Sequence, residues 1–238
     1  MNFFDLHMHS AFSGGESSLE ELASTAKQLG YKGICFAVYP LSKKEYEILK
    51  AEIKRVKKQV GIDIFFGIEA RNLKELRGLA KRRKVFDILL ARGGDVELNR
   101  EACETPEVDI LTHPEFQRQD SGLDHVCAKF AAKNNVAIEV NFRQILITGK
   151  KTRSMVLSNI QNNIKLAKKY KTSMILCSGA ISHWGLRDPN CLISMACELG
   201  LELKDAKDAI SKVPENIIEM VRKRKDKNWI MPGVEVVK

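Results

Sequence analysis

Short β-rich runs alternate with longer stretches of helical periodicity along this chain, and that alternation limits its fold more than any other feature. The runs lie at 3–9 (FFDLHMH), 33–39 (GICFAVY), 63–70 (DIFFGIEA), 87–92 (DILLAR), 108–113 (VDILTH), 136–142 (VAIEVNF) and 172–178 (TSMILCS). Between them, helical spacing is read at about 18–29, 42–60, 72–83, 122–134, 152–170, 190–199 and 204–225, with only a short helix in DVELNREACET after the fourth run. Such a pattern predicts parallel strands joined by crossover helices. No linker, repeat or low-complexity tract interrupts it, so residues 1–238 are read as a single domain, with 226–238 as a loosely ordered basic tail. The expected fold is α/β: an irregular seven-stranded TIM-like barrel, because no eighth strand is visible, with the open doubly wound sheet as the alternative.

Composition narrows the classes of function. A chain of 238 residues with 44% hydrophobic residues can bury a real core. Its six cysteines form no C-x-x-C pair, which argues against a disulfide framework or a zinc ribbon and for small apolar core residues in a reducing compartment. Nothing resembles a secretion signal or a membrane span, so a soluble cytoplasmic protein is expected. Lys plus Arg exceed Asp plus Glu by 39 to 30, a formal charge of +9, which suits a polyanionic partner such as nucleic acid but also a merely basic soluble enzyme.

In a barrel of this type function gathers at the C-terminal strand ends. His7 and His9 stand at the end of the first run, Glu69 and then Arg71 at the third, and Arg92 at the fourth. His113 and Glu115 end the fifth, Asn141 and Arg143 the sixth; Lys150, Lys151 and Arg153 follow, and Arg187 comes after the seventh. One mouth should therefore be both polar and basic. Strand alternation gives Asp5, His7 and His9 one face, the geometry an H-x-H pair needs to hold a metal, with Glu69 and His113 as further candidate ligands. Imidazole and carboxylate suit zinc or manganese. Hydrogen bonding within a polar barrel end accounts for the pair more simply, and no spacing shows that these residues converge.

The remaining motifs say less. Gly14-Gly15 matches neither phosphate-loop pattern. No Ser or Cys has an identifiable base beside it, so no catalytic residue is assigned. Lys81 to Lys84, and Arg222, Lys223, Arg224, Lys225 and Lys227, read as solvated helix ends where cations complement the helix dipole. Trp229 after the second cluster suits either stacking on an RNA base or packing back on the domain.

The segments DLHMHSAFSGGES (5–17), GIEA (67–70), THPEF (112–116) and VPENII (213–218) together resemble the polymerase-and-histidinol-phosphatase (PHP) metal-dependent hydrolases, which are distorted seven-stranded barrels. Within that superfamily FFDLHMH, CFAVYP, LLARGGD, DILTHPE, AIEVNFR, KKTRS and CSGAISHWGLRDP, in this order and over about residues 1–220, are similar to the archaeal ribonuclease P protein component 3 family. The departures from the hydrolases matter as much. Where those enzymes carry Asp-His at the end of strand two, this chain has Val38 and Tyr39; where they carry Asp-x-His after strand seven, it has Gly179 and Ile181. Their histidine after strand four is replaced by Arg92 and glycines. His7, His9, Glu69 and His113 are accordingly read as the relic of a metal centre, with no cofactor tightly bound.

The resemblance implies a protein subunit that binds and stabilises the RNA of ribonuclease P for 5′ maturation of precursor tRNA. The RNA would carry the chemistry with Mg2+, and the isolated subunit would be non-catalytic. Implied partners are the ribonuclease P RNA, precursor tRNA, protein component 2 in a complex of two plus two, and the other ribonuclease P proteins. The RNA-binding set expected at the mouth is Arg71, Arg92, Arg143, Lys150, Lys151, Arg153 and Arg187, since guanidinium pairs with phosphate where ligands for cations were lost. The alternative is a PHP-type phosphoesterase with a reduced metal site. Residues 93–107, lacking a long crossover helix, are expected to leave an apolar patch for a partner to cover.

Overall fold

Seven parallel strands occur in the order in which the sequence makes them: β1 (Phe3–Met8), β2 (Tyr31–Val38), β3 (Asp63–Ala70), β4 (Ile88–Arg92), β5 (Ile110–Thr112), β6 (Ala137–Asn141) and β7 (Met174–Cys177). The computed structural model of the chain describes residues 1–226, together with the backbone of two short paired strands, β8 (Trp229–Met231) and β9 (Val234–Glu235). Between β7 and β1 the sheet closes by one bridge, Met8 to Ala180, beside which the His9 amide donates to the Ala180 carbonyl at 2.8 Å. The barrel is thus seven-stranded and irregular at its seam, as the missing eighth strand implied.

Alternation along the strands sorts the side chains. Phe4, Leu6, Cys35, Ala37, Phe65, Ile88, Leu90, Ile110, Ala137, Ile175 and Cys177 form one buried cluster within the barrel, while Ile34, Phe36, Val38, Ile64, Phe66 and Ile68 belong to a larger cluster under the helices. The helices are α1 (Leu19–Gln28), α2 (Lys43–Val60), α3 (Leu73–Ala80), α4 (Val96–Glu104), α5 (His125–Asn134), α6 (Phe142–Ile147), α7 (Lys150–Tyr170), α8 (Pro189–Glu198), α9 (Leu203–Ile210) and α10 (Lys212–Lys225). Ser18 and Ser42 start α1 and α2 as capping boxes closed by Glu21 and Glu45, which satisfies the first free amides of each. No helix among the described residues is long and apolar enough to cross a membrane.

The floor of the barrel is closed by α10. Its Ile217, Ile218 and Val221 join the inner cluster, each contributing about 1.5–3 kcal/mol by burial. Arg224 pairs with Asp109 at 2.7 Å, Asp109 also holds Arg83, and Lys225 pairs with Asp87. These basic residues are therefore not simply solvated helix ends; Arg83, Arg224 and Lys225 tie the floor to the strand starts. The tail expected over 226–238 lies outside the described residues apart from Asp226 and the backbone of β8 and β9, and so does the side chain of Trp229.

Three local expectations are corrected. The single helix expected over 204–225 is two, because Ser211 (φ −127°, ψ −73°) leaves helical geometry and Pro214 suits only the first turn of a new helix. A short helix, α6, follows β6 directly, started by the Asn141 side chain accepting from the Gln144 amide. Finally, residues 93–107 present no broad apolar patch. Leu98, Ala102 and Cys103 of α4 are buried in the core, and Val96 is the one large hydrophobic exposed in that stretch.

Candidate anion-binding mouth of the barrel

The strand ends deliver their polar residues into one small pocket of about 90 Å3, lined by His7, His9, Tyr39, Glu69, Arg92, His113, Phe116, Asn141, Arg143 and Gln144. His7 and His9 arrive from β1, Glu69 from β3, Arg92 from the end of β4, His113 just past β5, and Arg143 from the first turn of α6. Glu139 on β6 stands behind them. Its Oε1 lies 2.7 Å from His7 Nδ1, and its Oε2 accepts from the His113 amide at 2.9 Å. Glu69 accepts from Thr112 Oγ1 at 2.8 Å and lies 3.6 Å from both His7 Nε2 and His9 Nε2.

Electrostatics fix the proton positions. Burial disfavours a charged His7, but the Glu139 carboxylate, with help from Glu69 and Asp5, outweighs it and raises His7 to about 9. Burial and the charge on His7 push His9 down to about 4, and burial likewise lowers His113. Burial also opposes ionisation of Glu69 and Glu139; the surrounding histidines outweigh it and hold both carboxyls below their usual range. At neutral pH the cluster is thus a His7 imidazolium between two carboxylates, with His9 Nε2, 3.2 Å away, accepting from His7 Nε2. With the guanidiniums of Arg92 and Arg143, and counting Glu139 behind it, the site carries one net positive charge.

The fold family implies a metal centre of two or three ions, and the donors do not fit one. His7, His9 and Glu69 form one triad, and His7, His113 and Glu139 a second; the two share His7, and Glu69 Oε1 lies 3.6 Å from His7 Nε2 and 3.9 Å from His113 Nε2, so the same few side chains would have to serve every ion. His7 Nε2 and His9 Nε2 lie 3.2 Å apart, close to the edge, about 3.3 Å, of a tetrahedral zinc site, and each is 3.6 Å from a different oxygen of Glu69, so this triad can gather around one ion. The seam residue excludes a return to the hydrolase pattern: Gly179 is left-handed (φ 61°), and a Cβ there would lie 2.5 Å from the Asn141 amide oxygen and nitrogen. An aspartate at that position would collide with Asn141. Tyr39, where the hydrolases carry a ligand, stacks on His9 with ring centroids 5.4 Å apart.

The expected RNA-binding residues divide by environment. Arg92 and Arg143 both line the pocket, and neither meets a carboxylate among the described residues; Arg92 lies over the Phe116 ring at 5.0 Å. Arg71 sits at the rim over Tyr39 but is held by Glu75 at 2.7 Å. Arg153 turns back onto the Thr148 carbonyl, and Arg187 onto the Trp184 and Leu186 carbonyls beside Phe142. Lys150 and Lys151 are exposed at the start of α7, away from the pocket. Sequence reasoning missed Glu139, Thr112 and the role of Tyr39. The signal for Glu139 was present: a charge inside AIEVN, two residues before Asn141, shares the inward face of that strand end.

Seven parallel strands, with histidines, carboxylates and two arginines that meet no carboxylate among the described residues at their C-terminal ends, define a TIM-like barrel with a polar and basic mouth. A match at TM-score 0.58 and 13% identity to β-aspartyl dipeptidase from Fervidobacterium islandicum, covering 91% of this chain and 72% of that one, reflects the shared barrel alone. The more specific comparisons agree with one another. The family model described as RNase P subunit p30 matches residues 2–226, and the chain belongs to that family. Ribonuclease P protein component 3 of Methanosarcina mazei is 37% identical over 238 residues, 99% of this chain and 95% of the relative. Its counterpart from Methanothermobacter thermautotrophicus is 32% identical over 92% of this chain and 89% of its own length. A chain in the cryo-EM structure of archaeal ribonuclease P with mature tRNA superposes at TM-score 0.80 with 30% identity, covering 98% of both chains.

Proposed function

We infer that this chain is a protein subunit of ribonuclease P, an endoribonuclease that acts as a holoenzyme, and that it binds and stabilises the catalytic RNA during 5′ maturation of precursor tRNA. The observation that carries the RNA-binding role is the convergence of Arg92 and Arg143, free of carboxylate partners among the described residues, on the pocket at the strand ends. Two guanidiniums in a half-buried site suit phosphate, which each can engage through paired N–H donors, and displaced counterions add to the affinity. In this reading the subunit positions RNA while the RNA performs the phosphodiester chemistry with its own Mg2+. We further propose that the working form is a complex with protein component 2, two copies of each, alongside the other ribonuclease P proteins in the cytoplasm.

Reconstitution of precursor tRNA cleavage from the RNA and the full set of proteins tests this reading. Omitting this chain should lower activity, and adding it back with Arg92→Ala and Arg143→Ala together should restore less than the wild-type chain does. Full activity without the chain would overturn the assignment.

A further inference from the structure

Glu115 is the one acidic side chain in the protein whose two oxygens are both buried without a hydrogen-bond partner among the described residues. It is 2% exposed, yet it lines a cavity of about 350 Å3 on the far side of Phe116 and Gln144, the two residues this cavity shares with the arginine pocket. A buried carboxyl left unmatched costs stability, and such a group in a native structure calls for a partner that completes it. The volume falls in the range of roughly 300–1,000 Å3 typical of small-ligand sites.

The walls say what kind of partner fits. Phe116, Ile147, Met155 and Val156 supply apolar faces, and Glu115 with Gln144 supplies hydrogen-bonding groups. A flat ring carrying N–H donors at its edge meets both demands. Thr152 also lines the cavity, and this places it beside the first turn of α7, where Lys150, Lys151 and Arg153 are exposed and where Gly149 contributes no capping side chain. That edge suits phosphate. Arg118, held by Asp120, lines the cavity as well, and together these cations disfavour a basic protein side chain as the partner.

We propose that the cavity over Glu115 receives one unpaired base of the RNA, an adenine, cytosine or guanine whose amine donates to the carboxyl, while the flanking phosphates lie on the arginine mouth and the start of α7. The proposal rests on the RNA-binding reading given above and names the part of the nucleotide that the mouth alone does not explain. Splayed-out bases held between side chains and read at their edges are a general mode of RNA recognition.

The test is chemical probing of the RNA in reconstituted ribonuclease P, with dimethyl sulfate for adenine and cytosine, kethoxal for guanine, and hydroxyl radical for the backbone. With Glu115→Ala, a base protected by the wild-type chain should become reactive while backbone protections persist. A benzophenone side chain placed at Ile147 should crosslink to RNA. The near-isosteric Glu115→Gln should melt no lower than the wild type, since its carboxyl has no partner to lose in the free protein. Unchanged base reactivity in Glu115→Ala, crosslinking to a protein component instead of RNA, or a clear drop in the melting temperature of Glu115→Gln would each overturn the proposal. If the wild-type chain protects no backbone at all, the RNA-binding reading fails with it; intact backbone protection without a base signal sinks the base site alone.

Discussion

Glu139 Oε1 lies 2.7 Å from His7 Nδ1, and both residues are almost fully buried, so each holds the other in its charged form where burial alone would neutralise both. The contribution of His7, raised to about 9, is fully present below about pH 6.5, its unfolded value, and is lost as pH rises through about 9. That of Glu139, lowered, is present above the ordinary carboxylate range and is lost on acidification through its depressed value. Glu139→Gln should therefore destabilise by about 3 kcal/mol near pH 6, as removal of one member of a buried pair does, and by less as pH approaches about 10. Thermal unfolding across that range checks this; a difference that stays constant with pH would show that His7 is neutral.

The arginines should not behave alike. Arg92→Ala and Arg143→Ala should each reduce the salt dependence of RNA binding by roughly one unit, because each removes a cation with no competing acid. Arg71→Ala should change it less, since Glu75 already occupies that guanidinium. Filter binding of the complex over a salt series separates the two groups, and equal slopes for all three variants would remove the mouth as the phosphate surface.

The isolated chain should hold no more than one transition-metal ion and should not cleave precursor tRNA with Mn2+ or Zn2+ added. His7, His9 and Glu69 can surround one ion, and a second would have to share His7 with the first. Elemental analysis of protein purified without chelator, with a cleavage assay on the same sample, measures both. Two ions and a turnover abolished by His7→Ala would restore the phosphoesterase reading.

Gly67→Ala should destabilise the barrel. A Cβ at this β3 position would stand 2.6 Å from Cys35 Sγ and 2.9 Å from a Leu90 methyl, inside a packed interior that has no room to give. Overpacking of this kind costs about 1–3 kcal/mol, or a fall of roughly 2–12 °C in melting temperature for a domain of this size. Differential scanning calorimetry gives the value directly, and an unshifted melt would mean that the β2–β4 interior yields.

The architecture was legible because its signals are periodic. Every strand run read from the sequence overlaps the strand found, and the differences lie at the ends, as with 33–39 against Tyr31–Val38 and 108–113 against Ile110–Thr112. The division at Ser211 and the short helix after Asn141 were hidden, since a helix continues or stops there through backbone angles and a side-chain cap rather than through hydrophobic spacing. His7, His9, Glu69, His113, Arg92 and Arg143 could be placed at strand ends, and they do meet. What one sequence could not give was pairing. That Glu139 faces His7 across 132 positions, that Glu75 holds Arg71, and that Asp109 draws in Arg224 all depend on distances set by closure of the barrel.

Closure of the floor by α10 carries a consequence for how the chain is made. Ile217, Ile218 and Val221 belong to α10, made after all seven strands of the barrel, whereas the strand faces they cover begin at Phe4. A nascent chain therefore exposes a greasy ring beneath the barrel until α10 has been made and has folded back, and Asp87 and Asp109 wait that long for Lys225 and Arg224. Elongation at the ribosome and completion of the core are tied together: this barrel is sealed by α10, and a chain cut before Ile217 is an open vessel rather than a shorter one.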